Sequence, residues 1–228
     1  MTWIWSNLDL IWDRTFDHLV LSVPSIVLSF IVALPFGWLA HRYRASRAVI
    51  LTSVGLLYAI PSLPLFIVLP FIVGTSIRSP LNLIIALTLY GVALMVRVVA
   101  DGLGAVDRDV RQSATAVGFS GWTVFWQVEL PLAGPVLLAG LRVVAVSTVS
   151  LATVGAVIGA QSLGSLFTDG IQRGIQAEII AGIIATVLLA LALDGALVLL
   201  GRLLMPWTRP SAIGTVSRTS AALAEATP

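Results

Sequence analysis

The residues able to do chemistry in this sequence are few, and their spacing suits reversible contact better than bond-making. His18 and His41 have no ligand-spaced partner, so no metal site is expected. Cysteine is absent, which excludes disulfides, thiolate metal sites, iron–sulfur clusters and cysteine nucleophiles. What remains is polar or aromatic. Ser147, Thr148, Ser150 and Thr153 cluster within two helical turns and could offer hydroxyls to a passing solute. Small and hydroxyl residues are also what helices use to pack in lipid, and Gly155-x-x-x-Gly159 fits that second reading or a contact with a second subunit. Asp194 lies in an apolar stretch, where a carboxylate is costly and pairing with Arg142 or Arg97 is expected. Tyr58, Tyr90, Phe66 and Phe71 could hold a cation over a ring face, although aromatics in so apolar a chain mostly pack. Phe119, Trp122 and Trp126 recur at spacings of three and four, which places them on one helical face. Such a face either packs on the protein's own helices and lipid headgroups or anchors a partner protein.

The elements that must position these groups follow from composition. Of 228 residues, 58% are apolar and 11% charged, with a mean hydropathy of +1.01. Soluble domains average about half apolar and a quarter charged. A soluble globule, a disordered chain and a nucleic-acid binder are therefore excluded. Crossing a bilayer takes about 20 apolar residues in a helix. The stretches 19–40, 49–73, 80–97, 135–159 and 179–203 qualify, predicting an all-α integral membrane protein of about five spans in a lipid bilayer. Barrel-type alternation is absent, and open sheet edges are not satisfied in lipid. Arginines gather on one side: Arg42, Arg44 and Arg47, then Arg97, Arg108 and Arg111, then Arg202, Arg209 and Arg218. Only Arg14, Arg78 and Arg173 fall on the other, which places the amino terminus outside and the carboxyl terminus inside. Residues 1–17 carry Asp9, Asp13 and Asp17 beside Trp3, Trp5 and Trp12, and read as an interfacial segment rather than a secretory signal. The transmembrane domain covers 18–205, and 206–228 read as a cytoplasmic, disordered tail.

Residues 98–134 form the one long cytoplasmic connection. Asp109 is expected to cap a helix through Val110–Val117, and Gly118 suits the left-handed position that ends it. Ser120 is expected to cap a second helix from Gly121 to about Glu129, stopped near Leu130 by Pro131.

This connection resembles the signature loop of permease subunits of type I ABC importers. Gln112-Ser113-Ala114-Thr115-Ala116-Val117-Gly118, followed by Val128-Glu129-Leu130-Pro131, is similar to the EAA–G–I-x-L-P pattern. Ala114, Gly118, Leu130 and Pro131 match, whereas Gln112 replaces the usual glutamate and Ser113 the first alanine. Ala59-Ile60-Pro61-Ser62-Leu63-Pro64, Leu89-Tyr90, Val96-Arg97, Ala139-Gly140-Leu141-Arg142 and Ile158-Gly159-Ala160 resemble the osmoprotectant branch. That branch carries glycine betaine, choline, carnitine or proline. The resemblance implies a multi-pass subunit of the bacterial cytoplasmic membrane that is not itself an enzyme. Its implied partners are separate ABC ATPase subunits, a second permease (identical or paralogous) and an extracytoplasmic substrate-binding protein. Residues 109–131 would couple to the ATPase, through Gln112, Ser113, Ala114, Gly118, Phe119, Trp122, Trp126, Leu130 and Pro131. Pro61, Ser62, Tyr90, Ser147, Ser150 and Thr153 are the candidates for lining the pathway. No cofactor is expected on this chain: a P-loop needs a lysine and the sequence has none, so ATP and Mg belong to the partner ATPase. The competing expectations are a methionine or other amino-acid importer permease and a membrane scaffold or sensor subunit with no pathway.

Overall fold

The computed structural model describes residues 2–208, and every regular element among them is helical. In chain order these are α1 (Thr2–Ser6), α2 (Leu8–Arg42), α3 (Arg44–Ala59), α4 (Ser62–Val73), α5 (Pro80–Gly104), α6 (Arg108–Ala116) and α7 (Gly121–Val124). A π-turn at Phe125–Glu129 leads into α8 (Leu130–Val154), which ends in a 3-10 turn at Gly155–Ile158. Then come α9 (Gly164–Arg173) and α10 (Gln176–Leu204). Four helical runs are long and apolar enough to cross a membrane, and a fifth crossing results if α3 and α4 are one bent span.

The bundle centres on α5, which packs against α2 and α8. In its most apolar stretch 61% of residues are buried, against 6% in α10, so α5 is the core and α10 the periphery. Met95, Val96, Val99 and Leu103 of α5 meet Ala33 of α2 and Leu137 and Val144 of α8 in one cluster. A second cluster joins Leu83, Leu87 and Tyr90 to Leu21, Phe66 and Ala152. Without a hydrophobic drive between helices in lipid, close approach relies on small side chains and interhelical hydrogen bonds. The inner face of α2 shows this in His18, Ser22, Ser25 and Ser29, all fully buried. Ser25 donates to the Leu21 carbonyl and to Ile84 O of α5 (2.7 and 3.3 Å), Ser29 to Ser25 O and Thr88 O (2.6 and 3.2 Å). The Nε2 of His18 lies 3.1 Å from Val149 O of α8.

Residues 8–17 are helical and continuous with span one: α2 begins at Leu8, its start favoured by Asp9 in the first turn, where the helix dipole welcomes an anion. Trp5 and Trp12 nonetheless stay exposed. The stretch 49–73 is broken where its prolines begin, α3 and α4 meeting at 105°. Ile60 precedes a proline and takes an extended conformation (φ −67°, ψ 127°), since the proline ring crowds the helical one. The Tyr90 hydroxyl donates to the freed Ile60 carbonyl. The connection at 98–134 is shorter than predicted, because α5 runs on to Gly104 and an apolar helical run spans Gly121–Ile158. The tail beyond Thr208 lies outside the described residues.

Candidate functional site: a standing helix and the span it feeds

The signature loop is built from two capped turns. Asp107, not Asp109, starts α6: its Oδ1 accepts from the Asp109 amide at 2.9 Å. The cap therefore sits two residues earlier than expected, because Asp107 is the extended residue and Asp109 already belongs to the first turn. At the other end Gly118 has φ 99°. Its amide donates to Thr115 O (3.0 Å) and the Phe119 amide to Ala114 O (3.1 Å), a Schellman closure. A β-carbon at Gly118 would meet open space, so glycine is demanded here by the backbone angle. Ser120 then caps α7, accepting from the Thr123 amide at 3.2 Å.

Pro131 does not end the second helix. It sits in the first turn of α8, where its missing amide costs little. The π-turn before it supplies the adjustment, with the Leu130 amide reaching back to Phe125 O. That extra residue also re-aims the aromatics. Phe125 turns inward and meets Trp38 of α2 edge-on at 6.1 Å. Trp122 and Trp126 pack on each other at 5.6 Å and stay exposed, Trp122 by 67%.

No residue of α6 is buried. Gln112 and Ser113 are exposed, Val117 is 79% exposed, and Phe119 stands beside them. The loop is nevertheless fastened at its root. Arg111 NH1 lies 3.4 Å from Glu129 Oε1 and 3.0 Å from His41 Nε2, with His41 and Glu129 3.9 Å apart. This cluster ties α6 to α2 and to the π-turn, and the sequence reading missed it. The available signal was Glu129, an acid in an apolar helical run, which needs a partner if it is buried.

The pathway candidates divide. Tyr90 is buried and holds the α3–α4 break, Pro61 is exposed at the α4 start and Ser62 begins α4, so these three mark the bend. Ser147, Ser150 and Thr153 lie on α8, with Ser150 exposed and Thr153 donating to Ser150 O at 2.6 Å. Ser147 shares an open cleft of about 370 Å³ with Val143, Val146, Arg142 and Asp194. Arg142 and Asp194 form a two-pronged pair, Nε to Oδ1 at 2.6 Å and NH2 to Oδ2 at 2.7 Å. Arg97 is exposed and makes no ion pair among the described residues. Gly155, at the end of α8, lets the chain close on Leu83 of α5, as the packing reading expects, whereas Gly159 terminates the 3-10 turn at φ 85°.

Residues 25–210 match the family described as the binding-protein-dependent transport system inner membrane component. The glycine betaine/carnitine/choline transport system permease OpuCB of Bacillus subtilis is 28% identical over 206 residues, covering 90% of this chain and 94% of that protein. The carnitine transport permease OpuCB of Listeria monocytogenes is 32% identical over 81% of this chain and 83% of its own length. The osmoprotectant import permease OsmW of Salmonella typhimurium is 32% identical over 79% and 85%. Among solved structures, the inward-facing MetNI methionine ABC transporter shares the fold with TM-score 0.76 at 21% identity, covering 86% of this chain and 97% of that one. The bundle, the standing loop and these matches agree: the chain belongs to the binding-protein-dependent transport system inner membrane components, as a multi-pass permease subunit.

Proposed function

We propose that this permease passes a small osmoprotectant of the glycine betaine, choline, carnitine or proline class, driven by ABC ATPase subunits docking on α6 and its flanking turns. The observation that carries the docking surface is α6 itself: nine residues, capped at both ends, with none buried. A helix that short is marginal on its own and draws its stability from packing. Its Gln112, Ser113 and Val117 are therefore free for a second protein, with Phe119 and Trp122 as the aromatic anchors. ATP and Mg are used by that partner.

Force applied there reaches two spans at once. The Schellman turn and α7 feed continuously into α8, while the His41–Arg111–Glu129 cluster grips the end of α2. Nucleotide-driven closure of the ATPases would thus shift α2 and α8 together about α5, a rigid-body switch of the bundle. The face of α8 carrying Val143, Val146, Ser147 and Ser150 borders the Arg142–Asp194 pair. Charged groups in a span avoid lipid and face a cavity or another helix. We assign this face to the pathway at the contact with a second permease subunit, identical or paralogous. An extracytoplasmic binding protein delivers the solute. The substrate class rests on the relatives, whose names include glycine betaine, carnitine and choline.

The test is uptake of labelled glycine betaine by the reconstituted complex, competed in turn by choline, carnitine, proline and methionine. Competition by the first three and not by methionine supports the assignment. Methionine uptake, or ATP hydrolysis with no betaine transport, overturns it.

A further inference from the structure

The chain turns sharply at Tyr43, between α2 and α3, and the corner faces the root of α6. Between them lies a cleft of about 700 Å³ lined by Arg42, Arg44, Arg108 and Arg111. One carboxylate, Glu129, faces these four guanidiniums from the lining, and it is engaged by Arg111. Arg42, Arg44 and Arg108 are exposed and have no carboxylate within 4.0 Å among the described residues; Arg42 lies over the Tyr43 ring at 5.9 Å. Asp107 and Asp109 flank Arg108 along the chain, and the lining itself keeps a local excess of positive charge.

Trp38 and Trp122 line this cleft and also a second, apolar groove of about 490 Å³. Its wall is Phe30, Ile31, Leu34 and Pro35, two turns of α2 inside an apolar span, closed on the other side by Phe125 and Trp126. Ile31 is 56% exposed on it. A cationic cleft opening through two tryptophans into a groove along a span matches one kind of molecule. Arginine forks recognise phosphate, tryptophans settle at the headgroup level, and the groove suits hydrocarbon. An acidic segment of a partner protein would answer the arginines and leave the groove empty. We propose that this composite site binds one anionic phospholipid, its phosphate among Arg42, Arg44 and Arg108 and an acyl chain along α2. The site is independent of which solute the permease carries. Gln112, Ser113 and Val117 lie outside its lining, while Trp122 belongs both to this site and to the surface proposed for the ATPase.

The experiment is native mass spectrometry of the full-length chain in detergent with equimolar dioleoylphosphatidylglycerol and dioleoylphosphatidylcholine. One phosphatidylglycerol adduct is expected, retained at least tenfold over phosphatidylcholine. The triple variant Arg42→Gln/Arg44→Gln/Arg108→Gln should bring the ratio near one, whereas the corresponding lysine triple should keep most of it. Ile31→Trp fills the groove from its open side and should lower the adduct at least fivefold. Equal retention of the two lipids by wild type overturns the proposal, as does an unchanged ratio in the glutamine triple. If Ile31→Trp has no effect and millimolar inorganic phosphate displaces the lipid, the cleft takes free phosphate and the lipid assignment fails. Loss of ATPase co-purification in the glutamine triple, with the lipid ratio unchanged, would instead show a protein-facing surface and overturn it.

Discussion

Two short helices lie outside the main rods, and they are treated oppositely. The nine residues of α6 include none that is buried, whereas the ten of α9 bury Gly164, Ser165, Leu166 and Gly170 against α8 and α10. Both end on a left-handed glycine, Gly118 and Gly174, so the local stop signal is the same. The difference lies in what surrounds them. Leu163 and Leu166 nucleate a small core with Leu189 of α10, and Arg173 stands 3.7 Å from the buried Glu178 at the turn. One helix is completed by its own chain, and the other is the surface we propose for the ATPase.

Substitutions that strike each helix should separate folding from assembly. The largest effect is expected for Gly164→Val. A β-carbon there would lie 2.1 Å from the Thr153 carbonyl oxygen, backbone that cannot step aside. Overpacking of this kind costs about 3 kcal/mol or more. The purified chain should show a steep loss of monodisperse protein and a clearly lowered Tm. Should Gly164→Val fold normally, the claim that α9 is part of the core fails.

Next in size is Arg111→Ala. It leaves Glu129 buried without its cation, and breaking a buried pair costs about 3–5 kcal/mol when fully enclosed. Arg111 is partly exposed, so about 1–2 kcal/mol is expected after solvent screening. Its sharper signature is functional. With α6 unfastened from α2, the complex should still hydrolyse ATP while solute uptake falls at least tenfold. A parallel loss of both activities would place Arg111 in docking rather than in transmission.

Gly118→Asp is expected to cost about 1–2 kcal/mol through the left-handed backbone. Co-purification of the ATPase should nevertheless be abolished, since the Schellman turn sets the course from α6 to Phe119. Retained ATPase would refute the placement of the docking surface. Smallest is Val117→Ala on the exposed tip: no change in Tm, and a several-fold weaker ATPase association by pull-down or surface binding.

Much of this contrast was legible beforehand. Gly118 and Ser120 announce their turns by residue type, and the spans announce themselves by length without charge. The bend at Ile60 is marked in the sequence by Pro61, a residue that interrupts helices, although hydropathy alone cannot tell one rod from two. Two features were hidden for physical reasons. The π-turn is invisible because Pro131 normally signals a stop, and only the tertiary fit of Phe125 against Trp38 shows why the helix continues. The cluster of His41, Arg111 and Glu129 joins residues far apart in the chain, and single-sequence spacing carries no trace of such contacts. The α8 face was anticipated through its hydroxyls, while its charged border needed the fold to bring Arg142 and Asp194 together.

The widened turn at Phe125–Glu129 has a mechanical corollary. It takes up one residue more than an ordinary helical turn would need, and each residue of an α-helix accounts for about 100° of rotation. The wide turn absorbs the surplus amino acid in its larger girth instead of passing that rotation on, so the loop carried by α6 keeps its heading about the axis of α8. A residue inserted elsewhere in α8, with no such turn to take it up, would swing that loop through about a quarter of a circle.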